Sequence, residues 1–233
     1  HTSSHVAVVG GGSSPRPGEI TLAHRGVLFL DEFPEFDKRV LESLREPLEE
    51  GHISISRAKG RATFPAEFIL VAALNPCPCG NSGNTHKRCV CSASDIERYK
   101  RKLSGPIMDR IDMWVEVVHV PYEDLQSKDS GQKMTPLTKE KVAMARSAQK
   151  KRQSDKSSIK SLNSRLSSKD IADYITLSKE TTEILTAAST KLELSPRSYF
   201  KVIKLARTIA DLEGSVSVET PHILEALQYR PKI

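Results

Sequence analysis

Two adjacent carboxylates, Asp31 and Glu32, follow the apolar run Val27-Leu28-Phe29-Leu30. Open α/β sheets bind ligands outside the carboxyl ends of their strands, so a carboxylate pair at that place is well sited for chemistry. Four apolar residues followed by Asp-Glu form the Walker B pattern of ATPases. Asp31 would then hold Mg²⁺ on nucleotide phosphates, and Glu32 would orient and deprotonate the attacking water. A strand that leaves the core and meets solvent through charges has the same appearance. A second apolar run, Phe68 to Leu74, ends at Asn75. If the two strands are neighbours, a neutral amide sits beside the acidic pair. Such a group can sense a γ-phosphate, because it polarises water without adding charge. Asn75-Pro76 also reads as plain turn chemistry.

The four cysteines of the chain form two C-x-C pairs, Cys77/Cys79 and Cys89/Cys91, separated by nine residues. Four thiolates on one loop can close a tetrahedral site, and sulfur ligands favour zinc over magnesium or calcium. Gly80, Ser82, Gly83 and Asn84 make the connector pliable. Free reduced thiols, or an oxidised pair, are the alternatives. Clustering of this kind suits a reducing, cytoplasmic setting better than a disulfide framework. Upstream, Ile53-Ser54-Ile55-Ser56 alternates with period two and leads through Arg57, Lys59 and Arg61 to Ala62-Thr63-Phe64-Pro65. This predicts a β-hairpin with three cations at its turn. The cations suit a phosphate backbone, while the lack of an aromatic tip gives no sign of base stacking; a solvated turn is the plainer alternative.

The elements that must position these groups are strands in residues 1–125 and helices beyond. Val6 to Val9 and Met113 to Val118 read as further strands, and Gly10 to Gly18 as an irregular loop. The runs at 27–30 and 68–74 lack alternation, which suits strands covered on both faces of a parallel sheet. Between them, Val40, Leu41, Leu44 and Leu48 have helical spacing, with Asp37 as cap, Gly51 as terminator and Pro47 as a source of a kink. Thr138 to Arg152 fits a helix with a solvated basic face, and Gln153 to Ser168 a mobile linker. Residues 168–230 read as all helix: Ser195-Pro196 starts one whose stripe is Tyr199, Val202, Ile203, Ala206, Ile209 and Ala210, and Gly214 ends it. Thr220-Pro221 starts a last one.

The 233 residues carry a net charge of +6, unevenly spread. Residues 126–170 hold 12 Lys and Arg against 4 Asp and Glu, so the remainder is slightly acidic. This is a modest argument for a nucleic-acid partner. No apolar run approaches the ~18 residues of a membrane span, and His1-Thr2-Ser3-Ser4 lacks the features of a secretory signal.

The stretch Pro17-Gly18-Glu19-Ile20-Thr21-Leu22-Ala23-His24-Arg25-Gly26 with the run into Asp31-Glu32 resembles the magnesium chelatase-like AAA+ ATPases, in the branch of ComM and YifB. So do Asn75-Pro76-Cys77-Pro78-Cys79-Gly80, the segment Ser104 to Asp112, and Ala206 to Leu212. The resemblance implies an α/β fold, a partial AAA+ parallel-sheet core over residues 1–125, then a linker (126–136) and an all-α lid (137–233). It implies Walker B roles for Asp31 and Glu32, sensor 1 for Asn75, a trans-acting arginine finger for Arg110 and sensor 2 for Arg197, with ATP and Mg²⁺ as ligands. Arginine suits both places, being always charged and forked to phosphate oxygens. Ion pairing of Arg110 with Asp109 or Asp112, and a surface charge at Arg197, are the structural alternatives. The resemblance also implies a hairpin that points into the pore of a ring, a hexamer, with DNA as its partner. No G-x-x-x-x-G-K-[ST] occurs, so the chain resembles a fragment cut after the P-loop, inactive by itself.

Three functions compete at this stage. The first is a ring ATPase coupled to DNA translocation or branch migration, a helicase-like activity. The second is a chelatase-type motor acting on a protein partner. The third is a zinc-braced assembly module without catalysis.

Overall fold

The computed structural model describes residues 4–12, 15–57, 60–84, 87–117, 134–153 and 162–231. The chain folds as two compact units, His1–Ile111 and Asp112–Ile233.

The first unit is mixed α/β. Helix α1 (His5–Val9) leads to a short antiparallel pair, β1 (Gly10–Gly11) with β2 (Arg16–Pro17), then to α2 (Glu19–Leu22) and β3 (Val27–Leu30). The helix at 5–9 corrects the strand expected at Val6 to Val9. Its start is set by Ser4, whose hydroxyl accepts the Ala7 N–H at 3.2 Å, an N-cap that overrides the β preference of the valines. The close pairing beyond it needs glycine: a Cβ on Gly18 would lie 2.4 Å from the Gly10 nitrogen, and Gly10 itself has φ +99°.

Beyond β3, α3 (Lys38–Ser43) and α4 (Arg45–Glu50) are separated at Leu44. The break falls where the Pro47 ring would clash with the carbonyl four residues earlier, that of Ser43. Asp37 caps α3 through the Arg39 N–H at 2.7 Å. Strands β4 (His52–Arg57) and β5 (Gly60–Pro65) form the expected hairpin, and β6 (Ile69–Ala72) pairs in parallel with β3. Helices α5 (Ala93–Lys100) and α6 (Gly105–Met108) complete the unit. Ile20, Phe33, Val40, Leu41, Leu44 and Ile107 are its most deeply buried apolar side chains.

The β3–β6 sheet departs from expectation in one respect. One face is buried through Leu28 and Leu30, but Val27, Phe29, Ile69 and Val71 are between 44% and 61% exposed. Continuous apolar runs therefore do not mean coverage on both faces within this chain. Residues 113–117 are not a strand either: they carry no ladder, Val115 and Val117 stand in solvent, and the segment is tied to the second unit by the Trp114 N–H to Tyr229 carbonyl bond at 2.9 Å. Val118 lies outside the described residues.

In the second unit α7 (Met134–Gln153) starts earlier than expected. It is followed by α8 (Ser168–Tyr174), α9 (Lys179–Lys191), α10 (Pro196–Glu213) and α11 (Thr220–Gln228). The all-helical lid is as expected, and the α10 stripe fills its core with Leu166, Ile171, Leu185 and Ile223. The expected linker at 153–168 is corrected at its far end: Asn163 is buried, donating to Asp211 at 2.8 Å and to Thr208 at 3.1 Å, while its N–H donates to Gln149. Asp211 also takes Arg207 (3.0 Å) and Arg152, so a buried ion network registers α7 on α10. No helix among the described residues is long and apolar enough to cross a membrane.

Candidate nucleotide site and metal centre

The register Leu30↔Ala72 brings the carboxyl ends of β3 and β6 level. Pairing runs on past the strands: the Ala73 N–H donates to the Leu30 carbonyl at 2.9 Å, and the Phe33 N–H to the Ala73 carbonyl at 2.9 Å. Asp31 and Glu32 thus leave their strand beside the segment that leads to Asn75, and all three residues are exposed. Their turn is tight. Glu32 has φ 51° and ψ 44°, and Asp31 Oδ1 accepts its N–H at 2.9 Å. A left-handed conformation at a non-glycine residue costs about 1–3 kcal/mol and marks places where function constrains the backbone. Tyr99 comes close to both ends: burial raises its pKa, as do the charges of Glu35, Cys77 and Glu32, while the Asn75 main-chain N–H lowers it. Glu32 and Asn75 therefore share a neighbour. Nothing in the sequence singled out Tyr99; an aromatic on an amphipathic helix reads as core.

The cysteines meet. Sulfur separations are 3.5 Å for Cys77–Cys79, 3.7 Å for Cys77–Cys89 and 3.6 Å for Cys79–Cys89, and all four sulfurs, Cys91 included, lie within 4.8 Å of one another. A disulfide would need ~2 Å. A tetrahedron with Zn–S of ~2.3 Å has edges of about 3.8 Å, so the donor set fits zinc. Main-chain amides complete it: the Ser82 N–H donates to Cys77 Sγ at 3.2 Å. The N–H groups of Val90 and Asn81 bring the Cys79 thiol down to about 6. Burial, with the neighbouring cysteines, pushes Cys91 up to about 12. Without a cation the four thiols cannot all ionise side by side; a bound metal would remove that conflict and hold the loop closed.

Arg110 is held within the first unit. Its side chain is 12% exposed, its Nε donates to the Arg45 carbonyl at 3.2 Å and its Nη1 to the Pro106 carbonyl at 2.7 Å, and it forms an ion pair with Glu49. The sequence offered Asp109 and Asp112 as partners; Asp112 instead pairs with Lys201. Glu49, on the face of α4, gave no sign of this role. Arg197 lies in the second unit at the start of α10, half-buried, where its charge, like those of Arg230 and Asp112, acts on Lys201 one turn on. The hairpin is regular from His52↔Pro65 to Arg57↔Gly60. Arg61 is exposed on β5; Lys59 and the side chain of Arg57 lie outside the described residues.

Comparison with known proteins places this geometry. The family model for magnesium chelatase, subunit ChlI, matches residues 1–125, and the model for the C-terminal part of the same subunit matches residues 132–230. The competence protein ComM of Haemophilus influenzae is 44% identical over the whole chain, and YifB of Escherichia coli is 42% identical over 99% of it. The chain spans 44% of the length of each of these curated relatives. The DNA replication licensing factor Mcm6 of Drosophila melanogaster is 34% identical over 101 residues, 43% of this chain and 11% of its own. By the match of both family models and the identity along its full extent, the chain belongs to the magnesium chelatase-like AAA+ ATPase family, in its ComM/YifB branch.

Proposed function

We propose that this chain is the catalytic and lid part of a ring-forming ATPase that couples ATP hydrolysis to movement on DNA, as in translocation or branch migration. The observation that carries the reading is the parallel β3–β6 pairing, which supports a shared site for Asp31, Glu32 and Asn75. Asp31 would hold Mg²⁺, whose charge neutralises phosphate oxygens. Glu32 takes the proton of the attacking water, and Asn75 orients that water by its amide. Arg197 is assigned to the phosphates from the lid. Arg110 is assigned to a neighbouring subunit's site, and its pairing with Glu49 holds the guanidinium oriented and largely out of solvent. A hexamer is the ring size the family suggests.

The DNA assignment rests on the hairpin cations Arg57, Lys59 and Arg61 and on the name of ComM as a competence protein. The four cysteines are assigned to a structural zinc ion, in a cytoplasmic setting that keeps thiols reduced. The chain has no G-x-x-x-x-G-K-[ST] sequence, so by itself it should turn over no ATP above background; measured turnover in it contradicts this assignment. In the full-length protein, Glu32→Gln should lower ATP hydrolysis by about 10²–10⁴-fold, the usual worth of a general base, with nucleotide still bound. Reversing charge at Arg57, Lys59 and Arg61 should abolish stimulation by duplex and forked DNA in the same assay. Basal ATPase with no response to any DNA, but a response to a protein partner, would favour the chelatase-type motor instead.

A further inference from the structure

The cysteine knuckle is built onto the segment that carries Asn75. Cys77, fully buried, follows Asn75 by two residues. The chain then turns back on itself: the Gly80 N–H donates to the Cys77 carbonyl at 3.0 Å, and Gly80 adopts φ +76°. That turn brings the Gly80 backbone against the Asn75 amide, close enough that a Cβ on Gly80 would lie 3.8 Å from Asn75 Oδ1. At the other end of the knuckle, Cys91 passes directly into Ser92, which caps α5 by accepting the Asp95 N–H at 3.2 Å. Helix α5 returns Tyr99, 6% exposed, to the start of the loop. There the hydroxyl faces the Asn75 main chain. Lys102 fixes the ring from outside: its Nζ lies 5.7 Å from the ring centroid and 2.8 Å from Glu35, on the turn that follows Glu32.

We propose that the four-cysteine centre is a brace for Asn75, closed from behind by Tyr99, so that the metal and Tyr99 set the position of this amide without touching the reacting atoms. The inference rests on the reading of Asn75 as the γ-phosphate sensor. Its physical basis is the cost of imprecision: a displacement of about 1 Å in a positioning group lowers the rate by about 10²-fold. An exposed amide on a loop has few contacts of its own to hold it. Here the loop would be clamped two residues beyond Asn75 by a metal ligand, and it is flanked by a turn whose backbone lies at contact distance of the amide and backed by a buried ring. Tyr99 is thus a positioning residue, and the metal acts on hydrolysis rather than on nucleotide binding.

The test uses the full-length protein. Zinc is measured by elemental analysis, then removed with a zinc-selective chelator that is itself removed before assay in Mg²⁺. Stripping should lower kcat by about 10- to 100-fold with KM for ATP little changed, and added zinc should restore it. Amide exchange in residues 74–82, followed by mass spectrometry, should rise about tenfold on stripping as the loop opens locally. Tyr99→Phe should keep the zinc, lower kcat by about tenfold at unchanged KM, and raise exchange in the same peptide. Three results overturn the brace: protein that carries no zinc, kcat unaltered by both stripping and Tyr99→Phe, or a KM that rises as kcat falls. Glu32→Gln separates this outcome from failure of the underlying reading. If hydrolysis does not depend on Glu32, the ATPase assignment is what fails, and the exchange data still decide whether metal and Tyr99 hold the loop.

Discussion

The strand ends of the first unit and the helical second unit are stabilised in opposite ways. In the second unit one polar network is drawn inside and satisfied there, although the buried Gln153 amide finds no hydrogen-bond partner among the described residues. Asp211 accepts from Arg152, Arg207 and Asn163, and Arg207 donates onward to the carbonyls of Val216 and Ser215 at 2.9 and 2.6 Å. At the strand ends the chemistry-bearing groups are exposed, and one sheet face keeps Phe29 and Ile69 near 60% exposed. The contrast teaches where each region takes its order from. The lid is organised by contacts internal to it. The strand-end site is ordered by backbone pairing, lies beside the four-cysteine loop, and presents both its polar groups and an apolar face outward.

The largest expected effect probes the closed side of this comparison. Asp211→Ala leaves Arg207 buried without its carboxylate and should cost about 3–5 kcal/mol, read as a lower denaturation midpoint; a loss below about 1 kcal/mol would show that the network is ornamental to the lid. Phe33→Ala should cost about 3–5 kcal/mol in the first unit, because Phe33 is fully buried directly behind Glu32. On the open face of β3, Phe29→Ser should change the stability of this chain by only about 0.5 kcal/mol. Equal costs at the two phenylalanines would end the distinction between the buried turn after β3 and the open face of that strand.

A smaller effect depends on pH. The Ser104 hydroxyl, donating to Glu42 at 2.6 Å, holds the Glu42 carboxyl below its ordinary value, with Arg45 adding to it. A depressed folded pKa stabilises the fold above the unfolded value of about 4.3, and the contribution is lost as pH falls through the folded value. Ser104→Ala should therefore cost about 1 kcal/mol at pH 7 and nothing at pH 2. A pH-independent cost would mean that the hydroxyl serves the start of α6 rather than the carboxylate.

Much of the fold is legible in local chemistry. Asp37, Ser92, Ser167, Ser178 and Ser195 cap helices because a short polar side chain can reach the free N–H groups at N2 or N3. The stripe of α10 is set by its period. The hairpin follows from alternation, and the cysteine spacing foretold a cluster because C-x-C pairs on a short loop have little else to do. Where reading failed, the reason is also local. Val6 to Val9 has strand composition but a serine cap before it. Met113 to Val117 has the apolar composition of a strand but no ladder partner among the described residues, and a strand exists only as half of a pair.

Residue type and spacing alone were enough to single out Asp31, Glu32, Asn75 and the four thiols as candidates, because each belongs to a short-range pattern whose chemistry is carried by its own side chains. Tertiary structure alone decided that β6 lies beside β3, that Arg110 rests on Glu49, that Asn163 enters the lid core, and that Tyr99 returns to Asn75. Those facts depend on pairings between residues tens of positions apart, where the free energy belongs to the pair and is written in neither partner.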